Sequence, residues 1–108
     1  MSKPSPIIVL TTCKKGQGAM LAHNLVEEGL AACVNIIPGV NSVFAWNNST
    51  QTESEELLLI KTSAVGYKRL EERVKQLHSY EVPEILSLAI RDIYKPYQDW
   101  LLGAITVK

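Results

Sequence analysis

The residues with the clearest chemical potential are His78 and Glu84, which flank the segment that ends at Pro83. Imidazole nitrogen and carboxylate oxygen both suit Cu(II) or Zn(II), and Pro83 fixes the backbone just before Glu84. The pattern therefore favours a metal site. The structural alternative places His78 in the last turn of a helix, close to its negative end, with Glu84 bonded to backbone or to a neighbouring arginine. Spacing alone leaves both interpretations open.

Two cysteines differ in their surroundings. Cys13 precedes Lys14 and Lys15, whose charges would lower the thiol pKa if they lie close, so Cys13 is a candidate soft metal ligand. Cys33 lies in an aliphatic run and is predicted to be a small core residue. Two cysteines make no disulfide framework, which is typical of a reducing cytoplasm.

The segment from Lys14 to Gly18 reads Lys-Lys-Gly-Gln-Gly and precedes a predicted helix. Backbone N–H groups at a helix start, together with two ammonium groups, could hold a small anion, so Lys14 and Lys15 are candidate anion ligands. The segment matches neither a Walker A motif nor a dinucleotide fingerprint. A solvated loop between strand and helix is the simpler interpretation.

Other classes of function lack a signature. No Ser–His–Asp, paired-carboxylate or metal-hydrolase pattern appears, so we predict no catalytic residue and no obligatory cofactor. The 11 Lys and Arg residues balance 11 Asp and Glu residues, which removes the electrostatic basis for binding nucleic acid or an anionic membrane. No apolar run approaches the ~20 residues of a membrane span. We expect one cytoplasmic domain over residues 1–108, with residues 1–6 as a flexible lead.

Hydrophobic spacing predicts the elements that position these residues. Four consecutive aliphatic residues from Ile7 indicate a buried strand, and the fourth strand is predicted at Ile85–Ile90. Ser63 can cap the second helix, and Pro96 suits the start of a third. The order is β-α-β-β-α-β with an appended C-terminal helix, which predicts an α+β ferredoxin-like fold. The first helix is predicted from Ala19 to Leu30, with Gly29 near its end as a terminator. A hairpin is predicted from Ala31 to Thr62, with arms up to Trp46 and from Glu55 and a polar loop over 47–52.

The hairpin is long for so small a domain. An arm of about fifteen residues spans roughly 50 Å, whereas a domain of this length is only about 35 Å across. The hairpin must therefore bend, at Pro38-Gly39, or overhang its own domain. A tip carrying Phe44 and Trp46 would expose large apolar groups unless another subunit covers them. The helices also leave one apolar sheet face uncovered, so both features predict an oligomer with Phe44 and Trp46 at its interface.

Four stretches of the chain resemble the CutA family in order and spacing, from about Ile7 to Leu102. The resemblance implies a ferredoxin-like homotrimer related in architecture to PII-like signalling proteins, and a link to divalent-cation (copper) tolerance. The stretches are Leu30–Asn35, Ile37–Val40, Trp46 with Glu56–Thr62, and His78–Ile85.

Departures from the family pattern fall at the metal ligands and at the hairpin turn. Metal-binding members carry a cysteine where this chain has Thr11, and a second histidine where it has Leu77. Cys13 would share a strand face with Thr11, and could substitute, only if the strand persists that far. The usual glycine-lysine of the turn reads Asn48-Ser49.

Taken with the resemblance, the residues predict a cytosolic, non-catalytic homotrimer that responds to divalent metal. It would bind Cu(II) weakly through His78, Glu84 and Cys13. One alternative is a PII-like sensor that holds a small anion in intersubunit clefts through Lys14 or Lys15. Another is a structural adaptor trimer with an unknown protein partner.

Overall fold

The computed structural model describes residues 5–106. The predicted N-terminal lead lies mostly outside the described residues, and its last residue, Pro6, already belongs to the first strand. Within the described part of the chain no helix is long and apolar enough to cross a membrane. The elements are β1 (Pro6–Lys14), α1 (Gly18–Glu27), β2 (Cys33–Trp46), β3 (Ser49–Ser63), α2 (Tyr67–Leu77), β4 (Leu86–Ala89) and α3 (Lys95–Ala104).

The strands form one antiparallel sheet in the order β2-β3-β1-β4. This arrangement confirms the predicted ferredoxin-like α+β fold. Side chains of β1 and β3 alternate between the two faces of the sheet, as strand geometry requires. One face forms the main core beneath α1 and α2, built from Ile7, Val9, Cys13, Leu58 and Ile60 with Leu21, Leu25, Leu70 and Val74.

The opposite face is only half-buried. Ile8, Leu10, Leu57 and Leu59 point to this side and keep part of their surface exposed. The third helix, α3, contacts β1 and β3 and packs Leu101 into a small second cluster. Apolar surface therefore remains on this face.

A glycine lies at one end of each helix that covers the core: Gly29 follows α1, and Gly66 precedes α2. α1 ends in a Schellman motif, in which Gly29 takes φ +74° and the N–H of Leu30 donates to the Leu25 carbonyl at 3.0 Å. The prediction that Gly29 terminates this helix is confirmed. The predicted cap of α2 is wrong, because β3 extends through Ser63 and Gly66 is the N-cap.

The hairpin formed by β2 and β3 is tighter at its tip than predicted. Only Asn47 and Asn48 form the turn, with φ of 49° and 60°, the pattern of a type I′ turn. The polar stretch that follows joins β3, so the predicted loop over 47–52 is wrong. The strand register shifts between Ile37 and Val40, so an irregularity lies at Pro38-Gly39, where a bend was one of two predicted alternatives. The molecule still measures 46 × 26 × 24 Å, because the hairpin projects beyond the domain.

Candidate functional site

His78 lies directly after α2 and has both ring nitrogens engaged. Its Nε2 lies 2.7 Å from the Thr12 carbonyl oxygen, which can only accept, so Nε2 carries the proton. Its Nδ1 accepts the N–H of Tyr80 at 3.0 Å. The imidazole is therefore neutral, and neither nitrogen is free for a metal or a proton in this conformation. His78 fastens the segment after α2 to the end of β1.

Tyr80 links this segment to the hairpin. Its hydroxyl donates to Glu55 Oε2 at 2.5 Å, and its ring lies 4.8 Å from that of His78. Burial, followed by the neighbouring Glu55, raises the pKa of Tyr80 well above its usual range, so the phenol remains a donor. Glu55 is only 6% exposed. Glu55 lies in the predicted descending arm of the hairpin. It was not a predicted site residue, because its partner Tyr80 is 25 positions away in the sequence.

Cys13 belongs to the main core. β1 continues to Lys14, so Cys13 does share a face with Thr11, and both are fully buried. Burial, then Glu56 and Glu55, raise the thiol pKa to about 11. The expectation that Lys14 and Lys15 lower this pKa is therefore wrong, because both ammonium groups lie on exposed residues beyond the end of the core.

The predicted metal ligands do not converge. Glu84 is exposed, whereas Cys13 is buried in the core. His78 is hydrogen-bonded to the backbone of Thr12 and Tyr80. Among residues 5–106, no three His, Cys, Asp or Glu side chains are placed to hold one metal ion. At Thr11, which shares a strand face with Cys13, the hydroxyl is buried and has no hydrogen-bond partner within the described residues. The metal site thus stays a prediction without a preformed ligand set.

The predicted anion position at the start of α1 already holds a carboxylate. The N–H of Gly18 donates to Glu56 Oε1 at 2.8 Å. A Cβ at position 18 would lie 2.6 Å from the same oxygen, so glycine permits this close approach. An external anion near Lys14 or Lys15 would have to displace Glu56 from the N–H groups that favour negative charge.

A groove of about 960 Å³ runs between the outer hairpin and the segment of residues 79–84. We call it the hairpin groove. Its aromatic wall includes Phe44 and Trp46, which are 39% and 60% exposed. Ser42 pairs with Glu53 and Phe44 with Gln51, so these residues share one face of the hairpin with Glu55. This register follows from a turn made of Asn47 and Asn48 alone, which the predicted six-residue loop did not include. Lys14 and Glu84 also line the groove.

An antiparallel four-stranded sheet, two helices on one face and a projecting hairpin define a ferredoxin-like α+β protein of the PII-like kind. The model of the CutA1 divalent ion tolerance protein family matches residues 7–104. The chain belongs to this family.

Individual relatives agree with this placement. Protein CutA 1, chloroplastic, of rice is 44% identical over 91% of this chain, and the chain spans only 55% of that relative's length. The structure of the divalent cation tolerance protein from Thermus thermophilus is 43% identical, with a TM-score of 0.90 over 92% of this chain and 97% of its own. A PII-like protein CutA from Nostoc, solved in apo form, is 34% identical, with a TM-score of 0.88 over 94% and 99%.

Proposed function

We propose that this chain acts as a non-catalytic homotrimer in divalent-cation tolerance. One observation carries the assembly: Phe44 and Trp46, neighbours on one face of the projecting hairpin, are 39% and 60% exposed. Contiguous apolar groups of this size are usually covered by a partner. Phe44 and Trp46 are the interface residues in this proposal, and the half-buried sheet face adds to the same surface.

Light scattering at micromolar concentration tests the assembly. We expect three times the chain mass of 12.0 kDa, because an interface that covers both the tip and a sheet face is of obligate size. A mass of one chain would overturn the proposal. The non-catalytic role draws support from His78, since hydrogen bonds engage both of its ring nitrogens.

Weak Cu(II) binding at His78 is the second part of this proposal. A metal at Nδ1 must displace the Tyr80 N–H, and Glu84 or Cys13 must move to join it. Breaking these contacts weakens binding relative to a preformed site. Cytoplasmic location remains part of the proposal, supported by two free cysteines.

Calorimetric titration of Cu(II) tests the metal role. We expect His78→Ala to abolish binding, Cys13→Ser to weaken it slightly, and His23→Ala to leave it unchanged. His23 is exposed on α1 and supplies the matched control for an imidazole elsewhere on the surface. Equal binding by His78→Ala and the native chain would place the metal elsewhere and overturn this part of the proposal.

The hairpin groove favours a second function, a small-molecule sensor. Its volume falls within the range of ligand pockets, about 300–1,000 Å³. Ligand binding there would bridge the hairpin and the segment of residues 79–84. Thermal stabilisation by a small molecule, lost when groove residues change, is the expected result.

A further inference from the structure

A thiol and a primary amine lie side by side at the base of the hairpin. Cys33 and Lys61 are directly opposite one another in the antiparallel pairing of β2 and β3, so their side chains share one face of the sheet. The Lys61 ammonium group donates to Cys33 Sγ at 3.9 Å. It also donates to the side-chain oxygen of Asn35, which lies two residues further along the same face. Nζ is therefore held beside the sulfur instead of being directed into solvent.

This pair lies at the end of the sheet that α3 approaches. Tyr97 of α3 is close to Cys33, because burial, followed by the nearby sulfur, raises the pKa of the Tyr97 phenol. Cys33 and Lys61 are both half-buried, so a reagent as small as hydrogen peroxide can reach the sulfur. Cys33 and Trp46 are the two ends of β2, roughly 40 Å apart along the strand. The pair is therefore separate from the hairpin tip and from the hairpin groove.

The second thiol of the chain has different surroundings. Cys13 is fully buried in the main core, and burial raises its pKa to about 11, so it stays a protonated and unreactive thiol. β3 separates the strands of Cys13 and Cys33, which places their Cα atoms roughly 10 Å apart or more. A disulfide does not span that distance. An amine, and not a second thiol of the same chain, is therefore placed to react with an oxidised Cys33.

We propose that hydrogen peroxide drives a reversible covalent cross-link between Cys33 and Lys61, a sulfenamide that joins Sγ to Nζ. Peroxide first oxidises the thiol to a sulfenic acid: the O–O bond breaks, one oxygen stays on sulfur and the other leaves as water. The free-amine form of Lys61 then attacks the sulfur. An S–N bond forms, the S–O bond breaks, and the hydroxyl leaves as water with a proton from nitrogen. The protein loses two hydrogen atoms, and the peroxide becomes two waters.

The cross-link closes residues 33–61 into a covalent loop at the base of the hairpin. A closed loop restricts the unfolded chain, so the oxidised protein should unfold at a higher temperature than the reduced protein. Two equivalents of a small thiol reverse the reaction: they regenerate the thiol and the amine and leave as a disulfide. The inference goes beyond the proposed function, because it depends neither on metal binding at His78 nor on a ligand in the hairpin groove.

Mass spectrometry of the native oligomer after exposure to hydrogen peroxide tests the proposal. We expect a chain lighter by two hydrogen atoms, a joined pair of peptides that carry Cys33 and Lys61, and recovery of the starting mass with dithiothreitol. Lys61→Arg keeps the charge but supplies no amine, so its Cys33 should stop at the sulfenic acid, which dimedone traps. Cys13→Ser should cross-link as the native chain does, which separates a sulfenamide from a disulfide of equal mass. Lys68→Arg, at an exposed lysine of α2, is the matched control and should also cross-link.

Three results overturn the proposal. A loss of two hydrogen atoms that persists in Lys61→Arg places the cross-link elsewhere. A covalent dimer through Cys33 of two subunits shows that a thiol reaches the oxidised sulfur before the amine does. An unchanged mass of the native oligomer, under conditions that oxidise the thiols of the same protein in urea, shows that peroxide does not reach the folded pair.

Discussion

The body of the domain and the outer half of the hairpin, residues 40–54, share two strands but differ in what stabilises them. Towards its end, β3 alternates between buried residues that pack beneath α1 and α2 and half-buried residues on the opposite face of the sheet. At its start the same strand is exposed over residues 49–54. An isolated two-stranded ribbon is marginal in water. We therefore infer that the outer half needs support from outside the protomer, whereas the body does not.

The largest effect is expected where that dependence is greatest. Trp46→Ala should cost about 3–5 kcal/mol of combined folding and assembly free energy, because the proposed assembly buries the indole against a neighbouring subunit. Denaturant unfolding at several protein concentrations measures this loss. Tyr94→Ala is the control, an exposed aromatic ring away from the hairpin, and should change stability by less than about 0.5 kcal/mol. Unchanged stability and mass in Trp46→Ala would show that the outer half needs no cover at this point.

A substitution in the body should act within the protomer. Leu58 is fully buried in the main core, so Leu58→Ala should cost about 3 kcal/mol through lost burial and a cavity. Thermal unfolding measures the loss, and light scattering should show that the folded protein keeps its mass. Dissociation of folded Leu58→Ala at micromolar concentration would mean that body and interface are not separate.

The pH dependence of stability provides a third distinction. Burial raises the pKa of Cys13 to about 11 from an ordinary 9.0, so the folded state holds the proton more tightly than the unfolded chain. Stability from this group is complete below about pH 9 and falls as pH rises towards 11. The loss should approach about 3 kcal/mol above pH 11, for a shift of about two pKa units at 1.36 kcal/mol each.

Unfolding in denaturant at pH 8 and pH 10.5 tests this difference. Cys13→Ala should remove this part of the decline, while Cys33→Ala, at a half-buried thiol, should keep it. If both variants decline as the native protein does, the alkaline loss arises from other groups.

Residue patterns predicted the body well because its interactions are local or periodic. The aliphatic run that begins at Ile7 and the terminating Gly29 each depend on one segment. Such signals survive in a single sequence. Ser63 failed as a cap because strand pairing with Pro6 extended β3 through it, and pairing is a tertiary effect.

The candidate site was harder to predict because its contacts are long-range. Tyr80 and Glu55 are 25 positions apart, and Gly18 and Glu56 are 38 apart. No local sequence pattern predicts either pair. Lys14 and Lys15 were candidate anion ligands, beside the simpler interpretation of a solvated loop, because the local sequence does not reveal that Glu56 occupies the start of α1. His78 was a candidate metal ligand, with a structural role left open, because the engagement of its Nε2 depends on Thr12, 66 positions away.

The smallest effect is expected at the hairpin turn. A change there should affect the outer half of the hairpin and not the body of the domain. Asn47 and Asn48 both take positive φ, and the second position of a type I′ turn prefers glycine. Asn48→Gly should stabilise the outer half by about 0.5 kcal/mol, whereas Asn48→Ala should destabilise it by about 1 kcal/mol, because a Cβ without a polar group is strained there.

Hydrogen exchange measures where this change is felt. Amides of the outer strands should exchange more slowly in Asn48→Gly and faster in Asn48→Ala, while amides of the body, such as those of Leu58 and Ile60, keep their rates. Local opening of the outer half explains this pattern, since exchange there need not pass through global unfolding. If body amides shift as much as outer ones, the hairpin and the body open as one unit. The outer half would then be stabilised through the core beneath α1 and α2, and a neighbouring subunit would not be required to hold it.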